Sequence, residues 1–461
     1  MNTFSIYKRM PIWAQNFLCS IQGYRLDKQR YGKEYSGLYE NLLQSDFWDE
    51  PKILNYKEEQ IHRILDYVYK HCPYYHKKYK AEGLTPNDFK GMDSLVKFPI
   101  LTKEEVRCNW LGMVSDEYQL KDLIMYHTSG STGKALDFYW SKYSLQYYWA
   151  IVWRGRNRFG INKGDCHINF TGKIVVPIEQ KLPPFWRYNY FLNQYMLNMQ
   201  HMSKDKVKYI VDFINNSDYN FFVGYPSIIY AFADLIKEQD LLVTHSPKYI
   251  FSSAEKMYDF QQMLIENVFK DTRVVEHYGF SENAGAASKC GRDVYHEDFE
   301  LGHLELSDTT KTNVGLCGNL LATGFQNLAM PFIRYDIGDT ATFSEEKCIC
   351  GRHSQVIVDI EGRNGDYVLT PEGAKIMRFG YIFKETSDIK ESQIVQRELG
   401  SMVIRIVKRP NYNTEMEKKI VSAVREWISP TIKVDFEYVD EIPRTKAGKF
   451  RAVISELNIK K

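Results

Sequence analysis

The sequence predicts an α/β protein, with a large multi-sheet N-terminal domain and a small α+β C-terminal domain. Three observations carry this. Short apolar runs ending in small polar residues alternate with helical segments through most of the chain, the pattern of strands interleaved with helices. Beyond about Gly362 the pattern becomes strands grouped around one helix. The 461 residues are also enough for two or more domains with at least one large core.

Taken in order, Tyr56 to Glu82 reads as a helix, with Ile61, Ile64, Leu65, Val68 and Tyr69 at helical spacing. Leu123 to Tyr126 reads as a short strand feeding a Ser/Thr/Gly loop, and Trp149 to Arg158 as part of a helix beyond it. Tyr219 to Val223 predicts a buried strand ending in a turn, followed by a helix from about Ser227 to Lys237. Lys248 to Ser253 and Arg273 to Gly279 repeat the apolar strand followed by small polar residues. Glu391 to Gln396, Ser401 to Lys408 and Ile432 to Val439 read as strands, with a helix from Thr414 to Ile428 between the last two. Gly362-Arg363-Asn364-Gly365-Asp366, polar and holding two glycines, is the expected linker. The expected division is therefore 1–361, a hinge at 362–366, and 367–461.

Composition excludes several classes. The 60 basic and 58 acidic side chains leave a formal charge of +2, against a general nucleic-acid binder. No apolar run approaches the roughly 18 residues a membrane helix needs. The N-terminus mixes charges and a proline into its apolar residues and has no signal-peptide core. A cytoplasmic protein is expected, with peripheral membrane contact through Met10 to Leu26 left open. Eight cysteines, mostly scattered singly, do not form a disulfide framework.

The stretch Tyr126-His127-Thr128-Ser129-Gly130-Ser131-Thr132-Gly133-Lys134 resembles a phosphate cradle. A P-loop needs glycine where Thr128 stands and Ser or Thr where Ala135 stands. The kinase and ATPase reading fails at both ends. Four further motifs follow in order: Glu276-His277-Tyr278-Gly279-Phe280-Ser281-Glu282, Arg334-Tyr335-Asp336-Ile337-Gly338-Asp339, Glu361-Gly362-Arg363, and Pro443-Arg444-Thr445-Lys446-Ala447-Gly448-Lys449. Singly each is an ordinary turn or solvated surface. As an ordered set, from about Tyr126 to Arg451, they resemble the adenylate-forming superfamily, its phenylacetate-CoA ligase branch, and within it the CapK-like proteins of surface-polysaccharide gene clusters. Pro11-x-Trp13-x-x-Asn16 and Arg30-Tyr31-Gly32 also resemble that branch.

The resemblance implies activation of a carboxylate by ATP with Mg²⁺, through an acyl-adenylate and release of pyrophosphate. The chemistry asks the protein to hold the triphosphate, offset charge as pyrophosphate leaves and orient the acid. Thr128, Ser129, Gly130, Ser131, Thr132 and Gly133 suit the β- and γ-phosphates through hydroxyls and backbone N–H groups, with Lys134 adding charge. By the same resemblance Glu282 serves Mg²⁺, which prefers hard oxygen. Ser281 would bond the α-phosphate, Tyr278 beside Gly279 would stack on adenine, and Asp339 and Arg363 would hold the ribose. Ser253, Ala254 and Glu255 are expected on the nucleotide as well. Asp336 reads as structural. Lys449 resembles the lysine that a mobile C-terminal domain brings to the reacting carboxylate, and Asp366 the pivot.

Two departures touch the second half-reaction. The segment after the hinge, Leu369-Thr370-Pro371-Glu372-Gly373-Ala374, is a weak version of the glycine-rich path for CoA, and Arg451 follows Lys449 by two residues instead of three. The acceptor stays open between CoA and an amine on an amino sugar or amino acid. An aryl- or fatty-acyl-CoA ligase of general metabolism and a nucleotide-binding protein without catalysis are the alternatives. The acid itself is not legible, although Tyr147, Tyr148, Trp149, Trp153 and the Phe221 to Tyr225 stretch could wall its pocket, with His277 and Asn283 beside it. Finally, Cys348-x-Cys350-Gly351-Arg352 resembles an element of the same branch. With Cys290 and His296 it would make a structural Cys₃His zinc site.

Overall fold

The computed structural model describes residues 6–127, 137–171, 174–198, 201–361, 368–369, 371, 375–376, 380–383, 388–444 and 450–457. The N-terminal part of the chain is helical, with α1 (Ile12–Arg30), α2 (Tyr35–Ser45), α3 (Glu50–His71), α4 (Pro73–Ala81) and α5 (Lys103–Met113). The single helix expected over Tyr56 to Glu82 is two. Pro73 supplies no N–H and disfavours helical dihedrals before it, so Cys72 is extended at φ −118°, ψ 102°. α3 starts where Asp49 accepts from the Lys52 N–H at 3.0 Å. It buries Ile61, Ile64, Leu65 and Val68 in the largest core.

The hairpin β1 (Ile124–His127) and β2 (Asp137–Trp140) leads into α6 (Lys142–Asn157). That helix, of which the Trp149 to Arg158 stretch was expected to be part, begins where the Ser141 hydroxyl caps it, accepting from the Ser144 N–H at 3.1 Å. Then come β3 (His167–Thr171), β4 (Trp186–Asn189), β5 (Gln194–Asn198), α7 (Val207–Asn216), β6 (Phe221–Gly224), α8 (Pro226–Glu238), β7 (Tyr249–Ser253), α9 (Asp259–Val268) and β8 (Arg273–Gly279). β9 (Ala286–Lys289), β10 (Tyr295–Glu297), β11 (Gly302–Thr312), β12 (Gly315–Gly324), β13 (Tyr335–Phe343) and β14 (Val356–Glu361) follow.

All the strands from β3 to β14 join one twelve-stranded sheet, in the order β11-β12-β13-β14-β10-β9-β8-β7-β6-β3-β5-β4. β5, β3, β6, β7 and β8 run parallel. Such strands are covered on both faces and read as apolar runs, which is why β6, β7 and β8 were visible in the sequence. In register, Gly224 lies beside Ser252 and Ser253 beside His277, so β6, β7 and β8 end along one line. Ligands of open α/β sheets bind at the carboxyl ends of the strands.

The C-terminal segment adds β15 (Val368–Leu369) paired with β16 (Lys375–Ile376), then β17 (Ile389–Gln396), β18 (Ser401–Lys408), α10 (Thr414–Trp427), β19 (Lys433–Tyr438) and β20 (Val453–Ser455). The last four strands form a sheet in the order β19-β18-β17-β20. Its core is its own, with Ile394, Met402, Ile404 and Ile406 packed on Ile420 and Val424 of α10. β20 was not expected, being too short to alternate visibly. This body meets the larger one at α8, where buried Asp234 pairs with Arg409 at 2.5 Å and Lys390 at 3.5 Å.

Candidate functional site

The end of β8 carries the site. The Tyr278 hydroxyl donates to Asp339 Oδ2 at 2.7 Å, so the residues expected on adenine and ribose are neighbours. Asp339 is presented by a tight turn: Asp336 Oδ1 accepts from the Gly338 N–H at 2.8 Å, and Gly338 takes φ +78°. That gives Asp336 a structural bond. Arg334 takes φ +47° and turns inward, bonding Glu305 at 2.9 Å and the Phe98 carbonyl at 2.6 Å.

Glu282 is buried, and its Oε1 accepts from the Tyr335 hydroxyl at 2.7 Å. A carboxylate accepting one phenolic hydrogen keeps further lone pairs for a hard cation. The Trp140 indole donates to the Ser281 carbonyl at 3.0 Å, fixing that turn to β2. Asn283 follows at φ +56°. Across the line, β7 ends at Ser253, and Ala254 takes φ +69°. A left-handed non-glycine residue is held there only when its surroundings over-determine it. Next to it Glu255 Oε2 accepts from the Ser227 N–H at the start of α8, at 3.1 Å.

His277 sits on the face of β8 toward α6. Its Nδ1 contacts Ser288 Oγ at 3.1 Å, and Ser288 donates to Asp298 at 2.7 Å. The Nε2 is buried with no partner among the described residues. Burial pushes its pKa down to about 4, with Asp298 opposing and Arg156, Arg158 and Arg154 reinforcing the drop. The position is crowded: a Cβ on Gly279 would lie 3.3 Å from His277 Nε2 and 3.6 Å from the Tyr148 hydroxyl.

Residues 128–134, Arg363, Asp366 and Lys449 lie outside the described residues. Of the rest, Tyr278, Gly279, Ser281, Glu282 and Asp339 come together at the end of β8, with Ser253, Ala254 and Glu255 at the end of the neighbouring β7. Several supporting groups were missed. Tyr335 stands inside a quoted motif but had no role without its contact to Glu282. Trp140 and Asn327 were silent too; Asn327 Oδ1 accepts from Ser144 at 3.2 Å and ties the start of α6 to the sheet. Lys256 bonds Asp359 at 3.0 Å and Glu361 at 2.6 Å, beside the expected hinge. Its position two residues after Ala254 was the available signal.

At the opposite end of β9 and β10, Cys290, His296, Cys348 and Cys350 place their ligand atoms within 4.8 Å of one another. Cys350 Sγ is 3.2 Å from His296 Nε2, and His296 Nδ1 is buried without a partner among the described residues. Two thiolates sharing a tetrahedral zinc stand about 3.8 Å apart, from Zn–S bonds of about 2.3 Å. Cys290 and Cys348 are 3.8 Å apart, far longer than a disulfide. The donors are the soft set zinc selects, and they fit it.

Known proteins resemble this chain in sequence and in fold. Residues 368–456 match the family model described as the CapK C-terminal domain. Protein CapK of Staphylococcus aureus is 27% identical over 98% of this chain and 99% of its own length. The chain is similar to CapK along nearly its whole length. Phenylacetate-coenzyme A ligase of Thermus thermophilus is 22% identical over 87% of this chain and 96% of its own. Among solved structures, 2-hydroxyisobutyryl-CoA ligase in the postadenylation state, with an acyl-AMP bound, superposes at a TM-score of 0.69. That match has 16% identity and covers 89% of this chain and 91% of the other, a likeness of fold. Among the described residues no helix is long and apolar enough to cross a membrane.

Proposed function

We propose that this chain is an ATP- and Mg²⁺-dependent ligase that activates a carboxylic acid as its acyl-adenylate and then passes the acyl group to CoA or to an amine. The carrying observation is Glu282, a buried carboxylate with lone pairs to spare, placed with the Tyr278–Asp339 pair at the carboxyl ends of parallel strands. The acid's oxygen attacks the α-phosphorus, a P–O bond forms as the bond to pyrophosphate breaks, and no proton need move. Mg²⁺ held at Glu282 would offset the charge on the leaving pyrophosphate. The 128–134 loop would hold the outer phosphates, Asp339 the ribose and Tyr278 the adenine, with Ser253, Ala254 and Glu255 on the nucleotide as well.

In this reading residues 1–361 bind nucleotide and acid, 362–366 act as the hinge about Asp366, and 367–461 are a mobile domain carrying Lys449. On the same reading the enzyme is cytoplasmic and serves surface-polysaccharide biosynthesis, as the resemblance to CapK-like proteins implies, with an amino sugar or an amino acid as the amine. Zinc at Cys290, His296, Cys348 and Cys350 would tie two loops together and take no part in the reaction.

Acid-dependent exchange of labelled pyrophosphate into ATP tests the first step without an acceptor. Lys449→Ala should slow exchange by about 10²–10³-fold, the usual loss when one group stabilising transition-state charge is removed, with ATP binding little changed. Exchange at the wild-type rate would remove Lys449 from the mechanism. For the metal, elemental analysis of protein purified without nickel should give one zinc per chain, and Cys350→Ser should lose it along with thermal stability. A stable, zinc-free wild-type protein would end that part of the reading.

A further inference from the structure

Arg156 is 9% exposed, and its side chain makes no ion pair or hydrogen bond to any described residue. Its guanidinium lies 4.6 Å from the Trp153 ring, 5.4 Å from Phe221 and 5.6 Å from Phe251. Arg30 comes up on the same side, stacked 4.0 Å over Trp149 and beside the Tyr31 hydroxyl, again with no carboxylate among the described residues. The two cations repel one another, and burial with that repulsion brings the Arg156 pKa down to about 10. Ring faces offset part of the desolvation of an arginine. They do not replace the five N–H partners a guanidinium seeks.

The rest of the interior treats arginine differently. Arg154 meets Glu300 at 2.6 Å and Asp298 at 2.7 Å, Arg158 meets Asp46 at 2.6 Å, and Arg334 meets Glu305 at 2.9 Å. Arg187, 0% exposed, meets no carboxylate either, but its guanidinium bonds Gln15 at 2.8 Å, Gln180 at 2.7 Å and the Pro184 carbonyl at 3.0 Å. Arg156 has no such partners among the described residues and Arg30 meets no carboxylate there, and their place is not random. Tyr148, Val152 and Arg156 are four residues apart on α6, hence on one face. Tyr148 touches the Gly279 position at the nucleotide end, and Arg156 lies two turns, about 12 Å, farther along the helix. The layer between α6 and the sheet therefore begins at Gly279 and His277 and ends at two guanidinium groups that meet no carboxylate among the described residues.

We infer that the acid bound in this layer carries a second anionic group, a carboxylate or a phosphate, at the end remote from the carboxylate that is activated. Arg156 and Arg30 bind that remote group, while Tyr148 and the orphaned His277 Nε2 face the body of the molecule. Location of the reacting carboxylate near Gly279 rests on the adenylation reading above. The charge requirement rests on the two arginines alone.

The test pairs exchange kinetics with direct binding. Wild-type protein is assayed for pyrophosphate exchange with succinate, glutarate, adipate and 3-phosphoglycerate against butyrate, hexanoate and phenylacetate, and the same acids are titrated calorimetrically. The inference expects the dianions to exceed monoanions of equal length by 10-fold or more in kcat/KM. Arg156→Met should raise KM for the dianion by about 10- to 100-fold, the range for a hydrogen bond to a charged group, with kcat changed far less and Arg156→Lys restoring part. Succinate, glutarate and adipate against 3-phosphoglycerate separate a remote carboxylate from a phosphate. Monoanions favoured in exchange would overturn this inference and leave adenylation standing. No exchange with any acid, but dianion binding that Arg156→Met abolishes, would support it and overturn adenylation. Equal binding of mono- and dianions, or a dianion KM unmoved in a folded Arg156→Met protein, would also overturn it.

Discussion

Arg154 and Arg156 stand two residues apart on one helix and are both buried, yet their surroundings are opposite. Around Arg154 the charges close on themselves: Asp46 also takes Arg158 and Arg352 at 2.6 and 2.7 Å, and Ser45 donates to Glu300. Burial alone would raise the Asp46 pKa, but Arg154, Arg158 and Arg352 hold it well below the usual carboxylate range. Around Arg156 there are rings, tyrosines and a second arginine. The difference teaches where to look for chemistry in this fold. Buried charge matched inside the chain belongs to the scaffold, and buried charge left unmatched belongs to what the chain binds.

The comparison breaks most visibly on the scaffold side. Arg154→Met leaves Asp298 and Glu300 buried without their shared cation, and removing one partner of a buried pair costs about 3–5 kcal/mol. Urea unfolding monitored by tryptophan fluorescence should show a loss of that size. A loss under about 1 kcal/mol would mean the ring is solvated and the contrast with Arg156 is false.

Glu282 sharpens the other side. Glutamine at this position can still accept from Tyr335, so Glu282→Gln should leave the melting temperature nearly unchanged. Pyrophosphate exchange should nevertheless fall by about 10²–10³-fold, since a charge facing the departing phosphate has been removed. A parallel fall in stability and activity would make Glu282 a scaffold residue like Asp298.

Legibility in the sequence follows the same division. The parallel strands β6, β7 and β8 were readable because they are covered on both faces, and they bring the motif residues to their ends. β9 to β14 were not read as strands, because antiparallel pairs with bulges such as that between Ser307 and Thr310 blur the alternation. Tyr278, Glu282 and Asp339 could be named because the motifs carry them in order, and Cys348 with Cys350 because their spacing is compact. Arg156 could not be singled out. In the sequence it is one of three arginines at alternate positions, 154, 156 and 158. Only the packing separates the two that meet carboxylates from the one that does not.

pH separates the two kinds of buried charge by direction and by window. His277 has a folded pKa of about 4, below its unfolded value of about 6.5. The unfolded chain therefore binds the extra proton first, and stability is fully present above pH 6.5 and is lost as pH falls through 4. Asp46 is also depressed, but from the carboxylate range, so its contribution persists until the pH drops below about 4. Unfolding free energies measured from pH 7 to 4.5 should thus decline in the wild type and decline less in His277→Asn, whose site has no proton to take up. Replacing Asp46 should alter the curve only at more acid pH. If His277→Asn follows the wild-type slope throughout, the imidazole is solvated or already partnered, and the unmatched interior beside α6 is smaller than the contacts of Arg156 imply.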